Sequence, residues 1–424
     1  MLARLKWRGI ATVLLGAASV AAVPASTQAQ TPSGQPIAIG FGMALTGPLA
    51  GFGKQALLGM KIWEEETNAK GGLLGRPVKL VYYDDQSNPS TVPGIYTKLL
   101  DVDKVDLVLS GYATNMVAPA IPVIMQKGKT FISLFALDAN AEFKYPKYFS
   151  VLPAGPRPKA AFTDGFFQIA SAQNPKPTTV ALAAEDAEFS RNACDGAREN
   201  SDKYGFKIIY DQTYPPSTTD FAPVVRAVQA ANPDLVFVAA YPPDTVGIVR
   251  AAAEIGLNPK MLGGTMIGLL ITPIKTQLGP MLDGIVISES FVPAPSFNFP
   301  GVADVLKRYQ VKAAGEKIDP IGYAFVPFGY AAGQVLAQAV EATKSLDHAR
   351  LADFIHQHTF STVVGEINYA ADGAWAAPRT LVTQFQNVAA GNIDQFRDGS
   401  VQPVLWPPQY KTGTMIYPYA AAKK

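Results

Sequence analysis

The chain carries a single cysteine, Cys194, among 424 residues. No intramolecular disulfide can hold such a fold together, so packed cores must do it. Histidine is scarce as well: the three residues, His348, His356 and His358, crowd into one helix-patterned segment near the end. His356 and His358 stand two apart and diverge on a helix. With no cysteine beside them they make no zinc ligand set; they read as surface residues, and no metal site is expected. An excess of one charge is also missing. The 36 basic and 34 acidic side chains leave a formal net charge of +2, which provides no basic field for phosphate and argues against a nucleic-acid partner. The pair Gly40 and Gly42 invites a dinucleotide reading, but the third glycine of that fingerprint would fall on Leu45. No P-loop and no Gly-x-Ser-x-Gly elbow occurs. No cofactor is expected, and no residues assemble into a catalytic constellation, so the chain does not read as an enzyme.

What is present begins at the N-terminus. Arg4, Lys6 and Arg8 precede an apolar run from Ile10 to Val23, and Thr27-Gln28-Ala29 offers a small-residue cleavage site. That order predicts a secretory signal peptide over residues 1–29. The run is shorter than the roughly 20 residues that span a bilayer, which argues against an anchor. The mature protein is therefore expected outside the cytoplasm, in the periplasm.

From residue 36 the pattern alternates. Strands are expected at Ile37–Met43, Val78–Tyr83, Leu107–Ser110 and Thr130–Leu134, with helices at Phe52–Ala69, Thr91–Val102 and Met116–Lys127 between them. Short links between such elements imply a parallel sheet covered by helices on both faces. The proline-rich stretch Leu152–Pro158 breaks the rhythm and reads as a crossing. A second round follows, with strands at Thr179–Ala184, Lys207–Tyr210 and Leu235–Ala239 and helices at Lys159–Ala172, Ser190–Tyr204, Phe221–Ala231 and Thr245–Ile255. Ser288–Pro300 returns the chain, helices follow at Val302–Ala314 and Phe328–Thr343, and short strands and turns come after Gly365. The expected fold is α/β: two doubly wound Rossmann-like lobes joined by hinge crossovers. Residues 36–152 plus 289–364 would form the first lobe and 153–288 plus 365–424 the second.

Ligands of open α/β sheets sit beyond the carboxyl ends of the strands. Those ends here carry Phe52, Tyr112, Ala113, Thr114, Phe135, Ala136 and Leu137 in the first round, and Phe189 and Tyr241 in the second. Aromatic and hydroxyl residues recurring at matching places in both rounds suit a cleft between lobes. Asp84-Asp85, at the end of the second strand, reads as a turn and capping pair, since neighbours on a strand diverge.

Three segments together resemble type I periplasmic solute-binding proteins of the leucine/isoleucine/valine-binding kind. They are Thr46-Gly47-Pro48-Leu49-Ala50-Gly51-Phe52-Gly53, Asn68-Ala69-Lys70-Gly71-Gly72-Leu73-Leu74-Gly75 and Tyr83-Asp84-Asp85-Gln86-Ser87-Asn88-Pro89. The likeness spans roughly residues 36–385. It implies two lobes that close on a small-molecule ligand and hand it, as a monomer, to the membrane permease of an ABC transporter. By the same resemblance Phe52 matches an aromatic at the cleft mouth, Thr114 a hydroxyl that binds a ligand carboxylate, and Ala136 a residue whose backbone faces the ligand. Phe189 and Tyr241 match aromatic contacts of the second lobe, and Phe325 an apolar wall.

Two positions depart from the amino-acid binders. Leu137 replaces a hydroxyl, and Thr265 stands where an acid usually meets the ligand ammonium. An ammonium buried without countercharge costs several kcal/mol, so an apolar or aromatic carboxylate, or an amide, is expected in place of a free amino acid. Asp138, Asp186 or Asp244 would supply the missing charge under a one-residue shift of register. Branched-chain amino-acid uptake remains the family's default. A sensory protein docking on a membrane receptor would need the same lobes, whereas an exported hydrolase would need a nucleophile–base pair that is absent.

Overall fold

The computed structural model describes residues 1–3 and 31–423. All but the first three residues of the expected signal segment lie outside that range. Among the described residues no helix is long and apolar enough to cross a membrane.

The first round comprises β1 (Ile37–Met43), α1 (Ala50–Ala69), β2 (Val78–Asp84), α2 (Val92–Asp101), β3 (Leu107–Leu109), α3 (Thr114–Val117), α4 (Ile121–Gln126), β4 (Phe131–Ser133) and β5 (Tyr148–Ser150). Its sheet is parallel throughout, in the order β2-β1-β3-β4-β5. β1 is apolar or glycine at every position and buried at all but Ala38, because helices cover both faces of the sheet. The single helix expected over Met116–Lys127 is divided instead. Pro119 and Pro122 each lack an N–H, and a 3-10 turn at Ala118–Ala120 separates α3 from α4.

After β5 the chain leaves this sheet for α5 (Pro158–Ser171), β6 (Thr179–Glu185), α6 (Glu188–Tyr204), β7 (Lys207–Tyr214), α7 (Ala222–Ala231), β8 (Leu235–Ala240), α8 (Pro242–Ile255), β9 (Met261–Met266), α9 (Thr272–Leu278) and β10 (Val286–Glu289). It then returns through α10 (Val302–Ala313), packed on α1, and α11 (Val326–Thr343), which packs on α10 and lies against the first sheet. α12 (His348–Gln357) packs on α11 and is followed by the small hairpin of β11 (Phe360–Thr362) and β12 (Gly365–Ile367). A last passage brings β13 (Leu381–Gln384) and β14 (Val404–Trp406) to the edge of the second sheet. Its order is β14-β13-β10-β9-β8-β6-β7, with β13 antiparallel to both of its neighbours. β10 is absent from the sequence reading, in which Ser288 already opens the return segment.

α1 and α11 cross so closely that a Cβ on Gly59 would stand 2.5 Å from the Val326 carbonyl oxygen, and one on Gly329 equally near that of Ala56. Glycine is required there by contact. His348 is not a surface residue, because it sits at the start of α12 against the amino ends of β3 and β4. Its Nδ1 accepts from the Thr130 N–H at 3.0 Å, and its Nε2 lies 3.1 Å from the Asp106 carbonyl. The ring thus bridges a donor and an acceptor in its neutral form, and burial with nearby Lys129 lowers its pKa to about 4.

Candidate ligand-binding site

In each sheet the order reverses once, between β1 and β3 in the first and between β6 and β8 in the second. The crevice for a ligand opens at such switch points, beyond the carboxyl ends of the strands. The segments that leave those ends carry Tyr112, Ala113 and Thr114 after β3, Phe189 after β6 and Tyr241 after β8. They face one another across a cavity of about 30 Å³, which is also lined by Phe135, Leu137, Leu152, Phe162, Ile267, Leu270, Ser288, Ser290 and Phe325.

The loops behind the first wall explain two of the sequence motifs. The Thr46 hydroxyl donates to Asp84 at 2.6 Å, and the same carboxylate accepts the N–H groups of Leu45 and Gln86. The Ser87 hydroxyl donates to the Thr46 carbonyl at 2.7 Å and accepts from the Leu49 N–H. Gly47 lies between them at φ +79°, where a Cβ would stand 2.7 Å from the Gln86 carbonyl oxygen. The acid pair therefore makes turns. In the second motif the Asn68 amide pairs with both backbone groups of Val78, tying the end of α1 to the start of β2.

Phe52 packs behind the wall instead of lining it. It is fully buried, with ring centroids 4.9 Å from Tyr112 and 4.5 Å from Phe325. Phe325 also meets Tyr112 and Phe135 at 4.8 Å. Opposite, Phe189 and Tyr241 lie 5.4 Å apart. Ala113 holds φ +87° and ψ 141°, a region essentially reserved for glycine that stores strain and clusters at ligand sites. That twist aims Thr114 at the loop after β4, where its hydroxyl oxygen accepts the Leu137 N–H at 2.9 Å. Its own proton remains free to be donated.

Two hydrogen bonds already cross the cleft. The Phe189 N–H donates to the Asn115 side chain at 3.2 Å, and the Asn192 amide donates to the Leu137 carbonyl at 2.8 Å. Thr265 is buried on β9 with its hydroxyl unpartnered, but it does not line the cavity. Ala136 faces a neighbouring chamber instead. Sequence reasoning missed Leu152, Phe162, Ile267, Leu270, Ser288, Ser290 and Asn192. Ile267 and Leu270 follow the end of β9 and Ser288 and Ser290 lie at the end of β10, strands outside the alternation read from the sequence, while Leu152 comes from the first crossing and Phe162 and Asn192 from α5 and α6.

The lining residues include no carboxylate and no cation. Burial pushes the Tyr112 and Tyr241 phenols well above their ordinary range, so both stay protonated, and the Tyr241 hydroxyl has no partner. With Thr114, Ser288 and Ser290 they form a set of neutral hydroxyls around apolar walls. Just behind Tyr241, Glu185 and Asp244 are buried together, each with one oxygen unpartnered. Burial and their mutual repulsion push the Glu185 carboxyl up, and burial pushes that of Asp244 up, so the pair retains a proton. Among the described residues no group of acids, histidines and cysteines could hold a metal. Cys194 is buried, and its thiol is pushed up to about 12 by burial.

A family model described as periplasmic binding protein matches residues 36–390. A relative from Brucella abortus, a Leu/Ile/Val-binding protein homolog 2, is 26% identical over 363 residues, covering 85% of this chain and 93% of its own. Among solved structures, a branched-chain amino acid transporter substrate binding protein from Streptococcus pneumoniae in complex with isoleucine aligns at a TM-score of 0.70 and 19% identity, covering 88% of this chain and all of its own. A solute binding protein from R. palustris in complex with benzoate aligns at 0.71 and 18% identity, covering 84% and 94%. The structural likenesses establish a shared fold.

Proposed function

We propose that this chain, which belongs to the periplasmic binding protein family, is the solute-binding component of an ABC-type importer and closes two lobes on a small apolar or aromatic carboxylate or amide. The lobes are residues 36–152 with 289–364 and residues 153–288 with 365–424, and the three crossings between the sheets serve as the hinge. A signal peptide over residues 1–29 would place the protein in the periplasm, where a monomer meets its permease and releases the ligand unchanged.

The observation that carries the ligand class is the cavity lining, in which phenols, hydroxyls and hydrocarbon meet with no carboxylate among them. A carboxylate or amide finds several donors there, and charge-assisted bonds to it are the strong kind. A ligand ammonium would find no countercharge and lose several kcal/mol, a large part of the roughly 8 kcal/mol of a micromolar complex. The names of the relatives support both an amino acid and a benzoate as precedents, and the lining favours the second. A cavity of about 30 Å³ has room for a water or two, so a ring enters only when the lobes part and close again around it. Calorimetry with benzoate and leucine tests the assignment. Benzoate is expected to bind and leucine to bind at least tenfold more weakly, and tight binding of leucine alone contradicts the ligand class.

A further inference from the structure

Beside the aromatic cavity, and sharing only Leu152 with it, lies a larger chamber of about 470 Å³. That is the volume of a small-molecule site, and the aromatic ligand described above would not occupy it. Its walls come from the loop after β4, from Tyr148 and Ser150 on β5, from the first crossing at Leu152 and Ala154, from Pro158 at the start of α5, and from a turn at Asp372. The turn is fixed to the sheet. Ser150 donates its N–H to the Gly373 carbonyl at 2.9 Å, and the Asn140 side-chain amide reaches the carbonyls of Tyr145 and Asp372.

Of the three charged residues in its lining, Asp138, Lys144 and Asp372, Asp138 alone is not exposed. Its backbone sits at φ +60°, and its side chain is only 21% exposed. Its carboxylate accepts no hydrogen bond among the described residues. The nearest cation, Lys159, stands 3.9 Å away and is engaged by Asp195 at 2.9 Å. Burial pushes the Asp138 carboxyl up, with Lys159 opposing and Asp372 adding to the shift. Asp372 supplies a second negative charge to the chamber, and one of its oxygens accepts the Ala374 N–H. Lys144 lines the rim, but it is exposed and its long stem lets the ammonium stay in water. A short carboxylate on a constrained backbone has no such freedom. The remaining walls, among them Ala136, Ala154, Pro158 and Ala374, suit hydrocarbon.

We propose that this chamber binds a small organic amine with an apolar body, its ammonium paired with Asp138, at a site separate from the aromatic cavity behind Leu152. The ammonium would bring the donors that the carboxylate lacks, and the body would cover the alanine and proline walls. The two chambers would then select opposite head groups, the aromatic one an acid and the outer one an amine.

Benzylamine and benzoate carry the same ring with opposite charge, so calorimetry with both on the full chain separates the sites. Benzylamine is expected to bind the wild type, to lose at least tenfold in affinity in Asp138→Asn, and to be unaffected by Phe189→Ala. Benzoate is expected to respond in the reverse way. Ala374→Phe, which fills the outer chamber without changing charge, should abolish benzylamine binding and spare benzoate, and this controls for a folding defect in the first variant. The proposal is overturned if benzylamine fails to bind the wild type, binds Asp138→Asn equally well, or is weakened by Phe189→Ala alone. Loss of benzoate binding with benzylamine retained would sink the ligand assignment for the aromatic cavity and leave this one standing.

Discussion

On the first lobe the wall of the cleft is a cluster of rings. Phe52, Tyr112 and Phe325 lie within 4.9 Å of one another, centroid to centroid, with Phe135 against them. On the second lobe two rings, Phe189 and Tyr241, stand in front of two buried carboxyls, Glu185 and Asp244, whose oxygens are partly unpartnered. The two sheets share a parallel core, to which the second adds two antiparallel strands, and they differ in what stands behind their walls. The first lobe therefore offers a packed cluster of rings with the Tyr112 and Thr114 hydroxyls, and the second offers the unpartnered Tyr241 hydroxyl. Buried polar groups left unpaired cost stability, so the second wall has more to gain from a ligand that supplies partners.

The contrast is broken most directly at Phe325. Truncation to alanine empties the middle of the ring cluster and should lower the unfolding free energy by about 3–5 kcal/mol, as measured by urea denaturation. A loss below about 1 kcal/mol would mean that the first wall is not a packed unit.

Titration gives the two lobes opposite slopes. Glu185 and Asp244 have raised carboxyl pKa values, so the folded state keeps a proton that the unfolded chain has already released. Stability on their account is full at acid pH and falls as pH rises from the ordinary carboxylate range upward. Glu185→Gln removes that loss. It should stabilise the protein by about 2 kcal/mol near pH 8 and change little near pH 4. In the first lobe His348 is depressed from 6.5 to about 4. Its contribution is full above the unfolded value and is lost as pH falls through the interval between them. About 3 kcal/mol should disappear there, and His348→Gln should flatten the slope. Equal slopes for wild type and variant would show that the ring is free to protonate in the fold.

The smallest expected effect lies between the lobes. Asn192→Ala deletes the bond to the Leu137 carbonyl, worth about 1 kcal/mol. Benzoate should leave several-fold faster in stopped flow, while the unfolding midpoint without ligand hardly moves. A changed association rate with unchanged release would place Asn192 outside the closure step.

Much of this architecture was legible from residues alone. β1 coincides with its expected limits because a seven-residue apolar run buried on both faces has no helical reading. The alternation of strands and helices is enough to require a parallel sheet covered on both sides. β10 escaped notice because its four residues run straight into the polar, proline-rich return segment. The break between α3 and α4 was written in Pro119 and Pro122, yet the apolar pattern around them concealed it. In the cleft, the strand-end aromatics announced themselves by position. Ser288 and Ser290 did not, since they lie at the end of the overlooked β10, and neither did Leu152, which the first crossing brings in. The strain at Ala113 and the pairing of Glu185 with Asp244 exist only in three dimensions.

The proposed closure moves one sheet toward the other around a ligand. Small-angle X-ray scattering with and without saturating benzoate measures that movement directly. A smaller radius of gyration in the presence of the acid is the expected result, and an unchanged radius at a concentration where calorimetry shows full occupancy would contradict closure.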